Sequence, residues 1–341
     1  MMTDVGPDPQ GESLASSSAR RRWHRAGLLT TVVLVLAVVA ALPFAARSMG
    51  AQLFGRERTA RYDLLTGRMV TPADAERTAG HESFFNIAVL GIDEGAGSVT
   101  LGISGNRVCP VACPTSRVTL FSLADDADVR QGLPPSATLT LNPDDLLYTE
   151  TLTLPIRGQP SLYPFETWAL WLGLSGGDVG ADGTLVPVTA SDVERRAVIT
   201  IQNQSGAFQM AAPITIDPDS VRAPADSAAF VTVQALAFTR PDYLKVLAVI
   251  LMLLITVSGV LALLTRTVGD LLIGVGGLIL GIWGVRSIIV PQPVPVVTAV
   301  DLVLTLVILV LLLGVVIRVG RHLHHGSELH WTRRRSKSLR R

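Results

Sequence analysis

The stretch PSLYPFETWALWLGL, residues 160–174, decides the expected fold, because it is too apolar for a loop and too short to span a bilayer. A β-strand is the structure that suits it, with Pro164, which has no N–H, at its first residue. Side chains of a strand alternate between two faces, here Phe165, Thr167, Ala169 and Trp171 on one and Glu166, Trp168, Leu170 and Leu172 on the other. Both sets are largely apolar, which predicts a central strand covered on both faces.

Further runs with the same two-residue period surround this stretch. They include FNIAVLGI, SVTLGI, RVTLFSL, ATLTL, ETLTLPI, TLVPV, RAVITIQ and AAFVTVQALAF, and turn-rich segments such as DEGAG and SGGDVGADG separate them. Short strands at this spacing predict an antiparallel β-sandwich, with a barrel as the alternative. One helix is expected before them, over TPADAERTAG at residues 71–80, with Thr71 as N-cap and Gly80 as the stop.

Part of the chain has the composition of a membrane protein. Hydrophobic residues make up 48% and charged residues only 17%, where soluble domains carry about 25% charge. A helix needs about 20 apolar residues to cross the hydrocarbon, and backbone in lipid must be helical. Four segments satisfy this, at residues 26–46, 244–265, 271–290 and 296–318. We therefore expect an α+β membrane protein, in which residues 47–243 form the β-sandwich between one transmembrane helix and a bundle of three.

The distribution of charge predicts the orientation. Residues 47–243 contain 14 basic and 22 acidic side chains, whereas the chain from Arg318 onward contains 8 basic side chains and one acid. The basic run RRRWHR precedes the first apolar segment. By the positive-inside rule, a disordered N-terminus (1–25) and a basic tail (319–341) are cytoplasmic, and residues 47–243 are extracytoplasmic.

Two details refine this location. The first apolar segment is longer than the core of a cleavable signal peptide, which favours an uncleaved anchor; the alternative is cleavage before Ala51. Only Lys245 and Lys337 are lysines, and so strong an arginine bias suggests GC-rich codons. The expected location is a bacterial plasma membrane.

The runs TLPIRG (153–158) and YPFETW (163–168) resemble an uncharacterised family of bacterial and fungal membrane proteins, catalogued as a domain of unknown function. That family has a YPFD-x-aromatic strand in an extracytoplasmic β domain, followed by three transmembrane helices. Glu166 stands in place of the Asp, and Trp168 falls on the aromatic position. TRP at residues 239–241 is similar to the family's entry into its helices.

The resemblance extends into the apolar segments, where Arg286, Pro291 and Asp301 fall on a family pattern. A similar FPFD strand occurs in pentameric ligand-gated channels, but those have four helices after the β domain, where this chain has three. What the resemblance implies is a fold and a membrane location; it supplies no reaction.

Glu166 is the most conspicuous polar residue of the opening stretch, and with Trp168 and Arg157 it is a candidate binding residue. At the end of a strand, water or Arg157 could reach the carboxylate, which would allow a ligand or ion contact. The alternative is a salt-bridged strand end, and structural ion pairs are the commoner case.

Cys109 and Cys113 lie in NRVCPVACPTSR, on the expected outer side, where a local disulfide is favoured. The alternative is a copper or redox site, because CPVACP resembles the C-P-x-x-C-P motif of membrane-anchored copper chaperones, and thiolates suit Cu(I). Those proteins take a further ligand from a downstream histidine, whereas the outer histidine here is His81. The acidic clusters match no calcium loop. No metal and no cofactor are therefore expected.

Inside the apolar segments, Arg286 and Asp301 are each near the outer end of antiparallel neighbours. An ion pair between them is expected, as a structural clamp or, alternatively, as part of an ion path. Gly277 and Gly281 form a G-x-x-x-G motif, which predicts close helix packing on the third segment.

The sequence contains no Ser-His-Asp arrangement, P-loop or G-x-G-x-x-G motif. We therefore expect no enzyme, but an anchored extracytoplasmic binding or envelope-assembly module. Its expected partners are membrane lipid and either another envelope protein or a second copy, not nucleic acid. The alternatives are a transport or channel subunit and a copper or redox protein.

Overall fold

The computed structural model describes residues 60–71, 83–123, 132–221, 229–264, 268–289 and 297–338, together with isolated helical residues between 29 and 50. Most of the expected first transmembrane helix and of the expected helix over 71–80 lies outside these residues. The chain divides into two compact units, a β-rich unit over residues 51–245 and a helical unit that contains most of the three apolar helices.

The predicted runs each contain a strand. The strands are β1 (Arg61–Asp63), β2 (Ser83–Asp93), β3 (Ser98–Asn106), β4 (Ser116–Ser122), β5 (Ser136–Leu141), β6 (Leu147–Pro155), β7 (Arg157–Gly158), β8 (Thr167–Val179), β9 (Leu185–Pro187), β10 (Ala197–Asn203), β11 (Gln209–Met210), β12 (Ile214–Ile216) and β13 (Phe230–Thr239). Helix α1 (Ala190–Arg196) precedes β10. Its N-cap is Thr189, whose side chain forms a capping box with Asp192.

The strands form two sheets. The first has the order β1-β10-β2-β3-β6, and the second has the order β11-β13-β8-β4-β5, with β12 on β13 and both β7 and β9 on β8. The pairing of β10 with β2 is parallel, with Ile201 opposite Ile87. The expectation of a purely antiparallel fold is wrong at this pair. The reason is that β10 lies between β1 and β2, whose directions are opposed, so it can be antiparallel to only one of them.

Both sheets contribute inner side chains to one core. The fully buried members include Ile87, Leu101 and Ile103 from the first sheet and Leu120, Leu170 and Leu172 from the second. Burial of one such aliphatic side chain stabilises the fold by about 1.5–3 kcal/mol. The hydrophobic effect therefore holds the two sheets together in the β-rich unit.

Strand β8 is central in its sheet, between β13 and β4, as predicted, but it is covered on both faces over only part of its length. Trp168 and Leu170 are buried in the core, whereas Trp171 on the opposite face is 46% exposed. The strand also begins at Thr167 rather than at Pro164, which lies just after the 3₁₀ turn Pro160–Leu162. The outer face is therefore exposed at Trp171, whereas a second cluster of Phe121, Phe230 and Val233 covers it farther along the strand.

The remaining helices are α2 (Asp242–Leu264), α3 (Val268–Ile289) and α4 (Ala299–Ser338). Within the described residues, Asp242–Leu263, Gly269–Ser287 and Ala299–Arg321 are long and apolar enough to cross a membrane. Helix α4 continues well past the predicted end of the fourth segment, into the basic tail.

Packing within the helical unit differs from the prediction for its glycines. A Cβ added at Gly277 or Gly281 would meet no atom within 4 Å, so neither glycine packs against a described helix. The close approach lies instead at Gly314 of α4, where an added Cβ would be 2.4 Å from Cδ2 of Leu263. The motif predicted a small-residue face, but the rotation of α3 turns that face away from α2 and α4.

A buried charge cluster and a basic cavity

The β-rich unit contains a buried charge cluster made of Glu94, Glu166 and Arg240. Arg240 follows β13, Glu94 follows β2, and Glu166 precedes β8, so two sheets meet here. The guanidinium donates from Nε to Oε1 of Glu166 at 2.6 Å and from Nη2 to Oε1 of Glu94. Arg240 is 4% exposed and Glu166 is 0% exposed, so this is a buried ionic network.

Two aromatic rings enclose the guanidinium of Arg240. Its central carbon lies 5.0 Å from the ring centroid of Tyr163 and 4.2 Å from that of Phe208. Such cation–π contacts contribute about 2 kcal/mol when they are desolvated. Nη1 also donates to the carbonyl oxygen of Ala207 at 3.4 Å. The guanidinium of Arg240 is thus stabilised by two carboxylates, two aromatic rings and one backbone carbonyl oxygen.

The carboxylates are less well satisfied than the cation. Oε2 of Glu94 and Oε2 of Glu166 are buried and have no hydrogen-bond partner among the described residues. Burial raises the pKa of Glu94, and the charge of Arg240 offsets this only in part. For Arg240, burial alone would lower the pKa, but the hydrogen bond to Glu166 and the charge of Glu94 outweigh it and raise the pKa. Two acids facing one base make the cluster sensitive to protonation.

The partner of Glu166 differs from the prediction. The carboxylate is neither at a wet strand end nor close to Arg157, which is exposed on β7. Its partner Arg240 lies in the TRP run, so the ion pair joins two of the motifs on which the family resemblance depends. Sequence reasoning noted both runs and missed their contact, since 74 residues separate them.

Trp168 is a core residue rather than a surface for a ligand. Its ring lies on Gly158, where an added Cβ would be 2.2 Å from Cε3 of the indole, and the two residues are opposite each other in the β7–β8 pair. Nε1 of Trp168 is buried without a hydrogen-bond partner among the described residues. The glycine of TLPIRG therefore makes room for the tryptophan of YPFETW.

Cys109 and Cys113 form a disulfide, with an S–S distance of 2.03 Å and a Cα–Cα distance of 5.3 Å. In this oxidised state, neither sulfur is a thiolate that could bind Cu(I). No group of three metal-ligating side chains occurs among the described residues. His81, the histidine considered for a copper site, lies outside them.

A cavity of about 770 Å³ opens beside the disulfide loop, between the first and second sheets. Its walls include Ser83, at the start of β2, and Asp178, near the end of β8. The charge cluster lies at the opposite ends of the same two strands. The sequence did not predict this cavity, because its walls come from strand ends far apart in the chain.

Arg107 organises one wall of the cavity. Its guanidinium donates to the carbonyl oxygen of Asn142 at 3.0 Å, to that of Pro114, and to Oγ of Ser116 at 3.1 Å. Ser116 in turn donates to Asp178 at 2.7 Å. Arg107 therefore connects the loops around the cavity, and the groups that accept its hydrogen bonds are uncharged.

In the helical unit, the structure places Arg286 and Asp301 in contact. Nε of the arginine donates to Oδ1 of the aspartate at 2.5 Å, and Nη2 donates to Oδ2 at 3.3 Å. The guanidinium carbon also lies 6.0 Å from the ring centroid of Trp283. This bidentate pair joins α3 to α4.

No protein-family model matches this chain, and no curated protein matches it either. The resemblance to the domain-of-unknown-function family therefore depends on the motif residues alone.

Proposed function

We propose that this chain is a multi-pass bacterial plasma-membrane protein whose exported β-rich unit, a sandwich of its two sheets, is a binding module. Three helices of sufficient length and hydropathy support the membrane location. The basic residues that flank the apolar segments support cytoplasmic termini, and the disulfide suits an oxidising compartment outside the cytoplasm.

The single observation that carries the binding role is the cavity. Its volume of about 770 Å³ lies in the range of small-molecule sites, which is roughly 300–1,000 Å³. Its walls combine apolar side chains with a few charged groups, which is the composition of a site that orients a ligand. Envelope assembly remains part of the proposal, since a bound ligand would change the surface that a partner meets.

The charge cluster has a supporting role in this proposal. Arg240 is followed by Pro241 and then by Asp242, the first residue of α2. A buried ionic network at this point fixes the end of β13 and the start of β8. We propose that it keeps the β-rich unit rigid where the chain leaves it, and that the Arg286–Asp301 pair is a clamp between helices.

Location is tested with two reporters, a phosphatase that is active only outside the cytoplasm and a fluorescent protein that matures only inside. Each is fused after residue 150 and after residue 341. The expected result is phosphatase activity at 150 and fluorescence at 341. Fluorescence at 150 without phosphatase activity contradicts the proposal.

Binding is tested on the full chain purified from native membranes, by mass spectrometry of the small molecules extracted from it. The variant Gly176→Leu fills the cavity, because Gly176 lines it and an added Cβ would meet only the carbonyl oxygen of Arg117, at 3.6 Å. The matched control Gly206→Leu adds the same side chain at an exposed turn, where an added Cβ would meet nothing. A compound that is present in the wild type and the control but lost from Gly176→Leu is expected; equal amounts in all three would refute the assignment.

A further inference from the structure

We infer that the cavity takes an amphipathic anion, that is, a carboxylate or phosphate head group on an apolar chain. This inference rests on the proposed function, because it names the ligand class of the same site. It combines two independent features of the walls: the apolar side chains that both sheets contribute, and the positive charge of the arginines.

The apolar part of the walls comes from inner side chains of both sheets. Phe85 and Ile199 belong to the first sheet, and Leu141 and Leu174 belong to the second; all four line the cavity and are otherwise buried in the core. Gly176 follows Leu174 on the same face of β8 and has no side chain to fill the space. The volume exceeds what an inorganic anion needs, and its apolar part suits a hydrocarbon chain.

The charge of the walls is opposite to that of the surrounding unit. Four arginines are among the residues that line the cavity, at positions 107, 117, 195 and 196, with one acid, Asp178; Arg195 is also paired with Asp192 at 2.5 Å. Residues 47–243 as a whole carry 14 basic and 22 acidic side chains. The arginines of the cavity therefore attract an anion, although residues 47–243 as a whole carry a net negative charge.

Two of these arginines contribute to the binding of a head group in different ways. Both terminal nitrogens of Arg107 already donate to carbonyl and hydroxyl oxygens, among them the carbonyl oxygen of Leu141 at 3.4 Å, so this arginine contributes its positive charge to the site. The side chain of Arg196 is 69% exposed, and its ion pair with Oδ2 of Asp178 is long, at 3.9 Å. The side chain can therefore turn toward a ligand. The guanidinium of Arg196 can bind carboxylate or phosphate oxygens in bidentate geometry, which fits either head group.

The test uses the full chain in nanodiscs of zwitterionic lipid, with empty nanodiscs as background. The probe is hexadecanoate with a diazirine at the end of its chain; after illumination, the labelled residues are mapped by mass spectrometry. Saturable labelling of the inner faces of β2, β5, β8 and β10 is expected. Unlabelled hexadecanoate and hexadecyl phosphate should displace the probe, and the relative strength of the two competitors identifies the preferred head group. Hexadecanol and inorganic phosphate should not displace it.

Two pairs of variants separate the contribution of the cavity volume to binding from the contribution of the positive charge. Gly176→Leu should weaken binding of the probe by about tenfold or more, because it fills the cavity, while Gly206→Leu leaves binding unchanged. Arg196→Glu should weaken it by about fivefold, because it reverses one exposed charge at the head group. The control Arg157→Glu reverses an exposed charge on β7, far along the strands from the cavity, and should have no effect.

Labelling confined to α2, α3 and α4, or labelling that Gly176→Leu leaves unchanged, would overturn the inference. So would equal displacement by hexadecanol, since the charge would then be irrelevant. The two proposals fail in different ways. If a native compound is lost from Gly176→Leu but hexadecanoate does not bind, the ligand class is wrong and the binding module stands. If neither compound occupies the cavity, both are wrong.

Discussion

Replacing Arg240 by methionine removes the cation of the charge cluster while keeping a long apolar side chain between the rings of Tyr163 and Phe208. Glu94 and Glu166 are then left buried without their counter-ion. Removing one partner of a buried ion pair costs about 3–5 kcal/mol, and lost cation–π contacts add to this. We expect the free energy of unfolding of the β-rich unit to fall by about 4 kcal/mol.

The assay is a urea titration of the full chain in nanodiscs, with the folded fraction of the β-rich unit measured by pulse proteolysis. The control Arg157→Met makes the same substitution at an exposed arginine and should change stability by about 0.5 kcal/mol or less. The triple variant Arg240→Met, Glu94→Gln, Glu166→Gln removes all three charges. It should recover a large part of the loss, because its buried groups are neutral.

Two results would refute this reasoning. One is an Arg240→Met protein as stable as the Arg157→Met control, which would mean that the cluster is solvated. The other is a triple variant that is less stable than Arg240→Met alone, which would mean that uncompensated charge is not the source of the cost.

Three further predictions concern other parts of the chain. Burial raises the pKa of Glu94, so the folded protein keeps a proton that the unfolded chain loses above about pH 4.5. The free energy of unfolding should therefore fall as the pH rises above about 4.5. Glu94→Gln should remove this fall, measured by pulse proteolysis from about pH 4 to 7. Gly158→Ala should lower stability by about 1–3 kcal/mol, because its Cβ overlaps the buried indole, whereas Gly206→Ala should not; equal urea midpoints for the two would contradict the packing. A double-mutant cycle of Arg286→Leu and Asp301→Leu should give a coupling energy of about 1 kcal/mol, measured as the thermal stability of the reconstituted protein; strictly additive effects would contradict the clamp.

The strands were predictable because each has its own two-residue pattern and its own turn residues. The partner of each strand was less predictable, since β10 pairs with β2 across most of the β-rich unit. A local pattern records which residues face the core, but it does not record which edge a strand joins. This is why the antiparallel expectation failed at this one pair.

The site residues show the same division between local and distant information. Arg286 and Asp301 were predictable partners, because few charges lie in the apolar segments and a short connection makes α3 and α4 neighbours. Glu166 was conspicuous in an apolar run, yet its partner Arg240 comes from a strand far along the chain. Gly277 and Gly281 were expected to pack, but sequence spacing does not fix the rotation of a helix.

The position of β10 has a consequence for the order in which the protein can assemble. Until residues 197–203 have been synthesised, β2 lacks its neighbour and presents an unpaired hydrogen-bonding edge. Thr200 bonds Asn86 across 114 residues, a separation that slows closure of the sheet. A nascent chain arrested before β10 would therefore be vulnerable to aggregation and proteolysis, whereas one arrested just after it could already complete the first sheet.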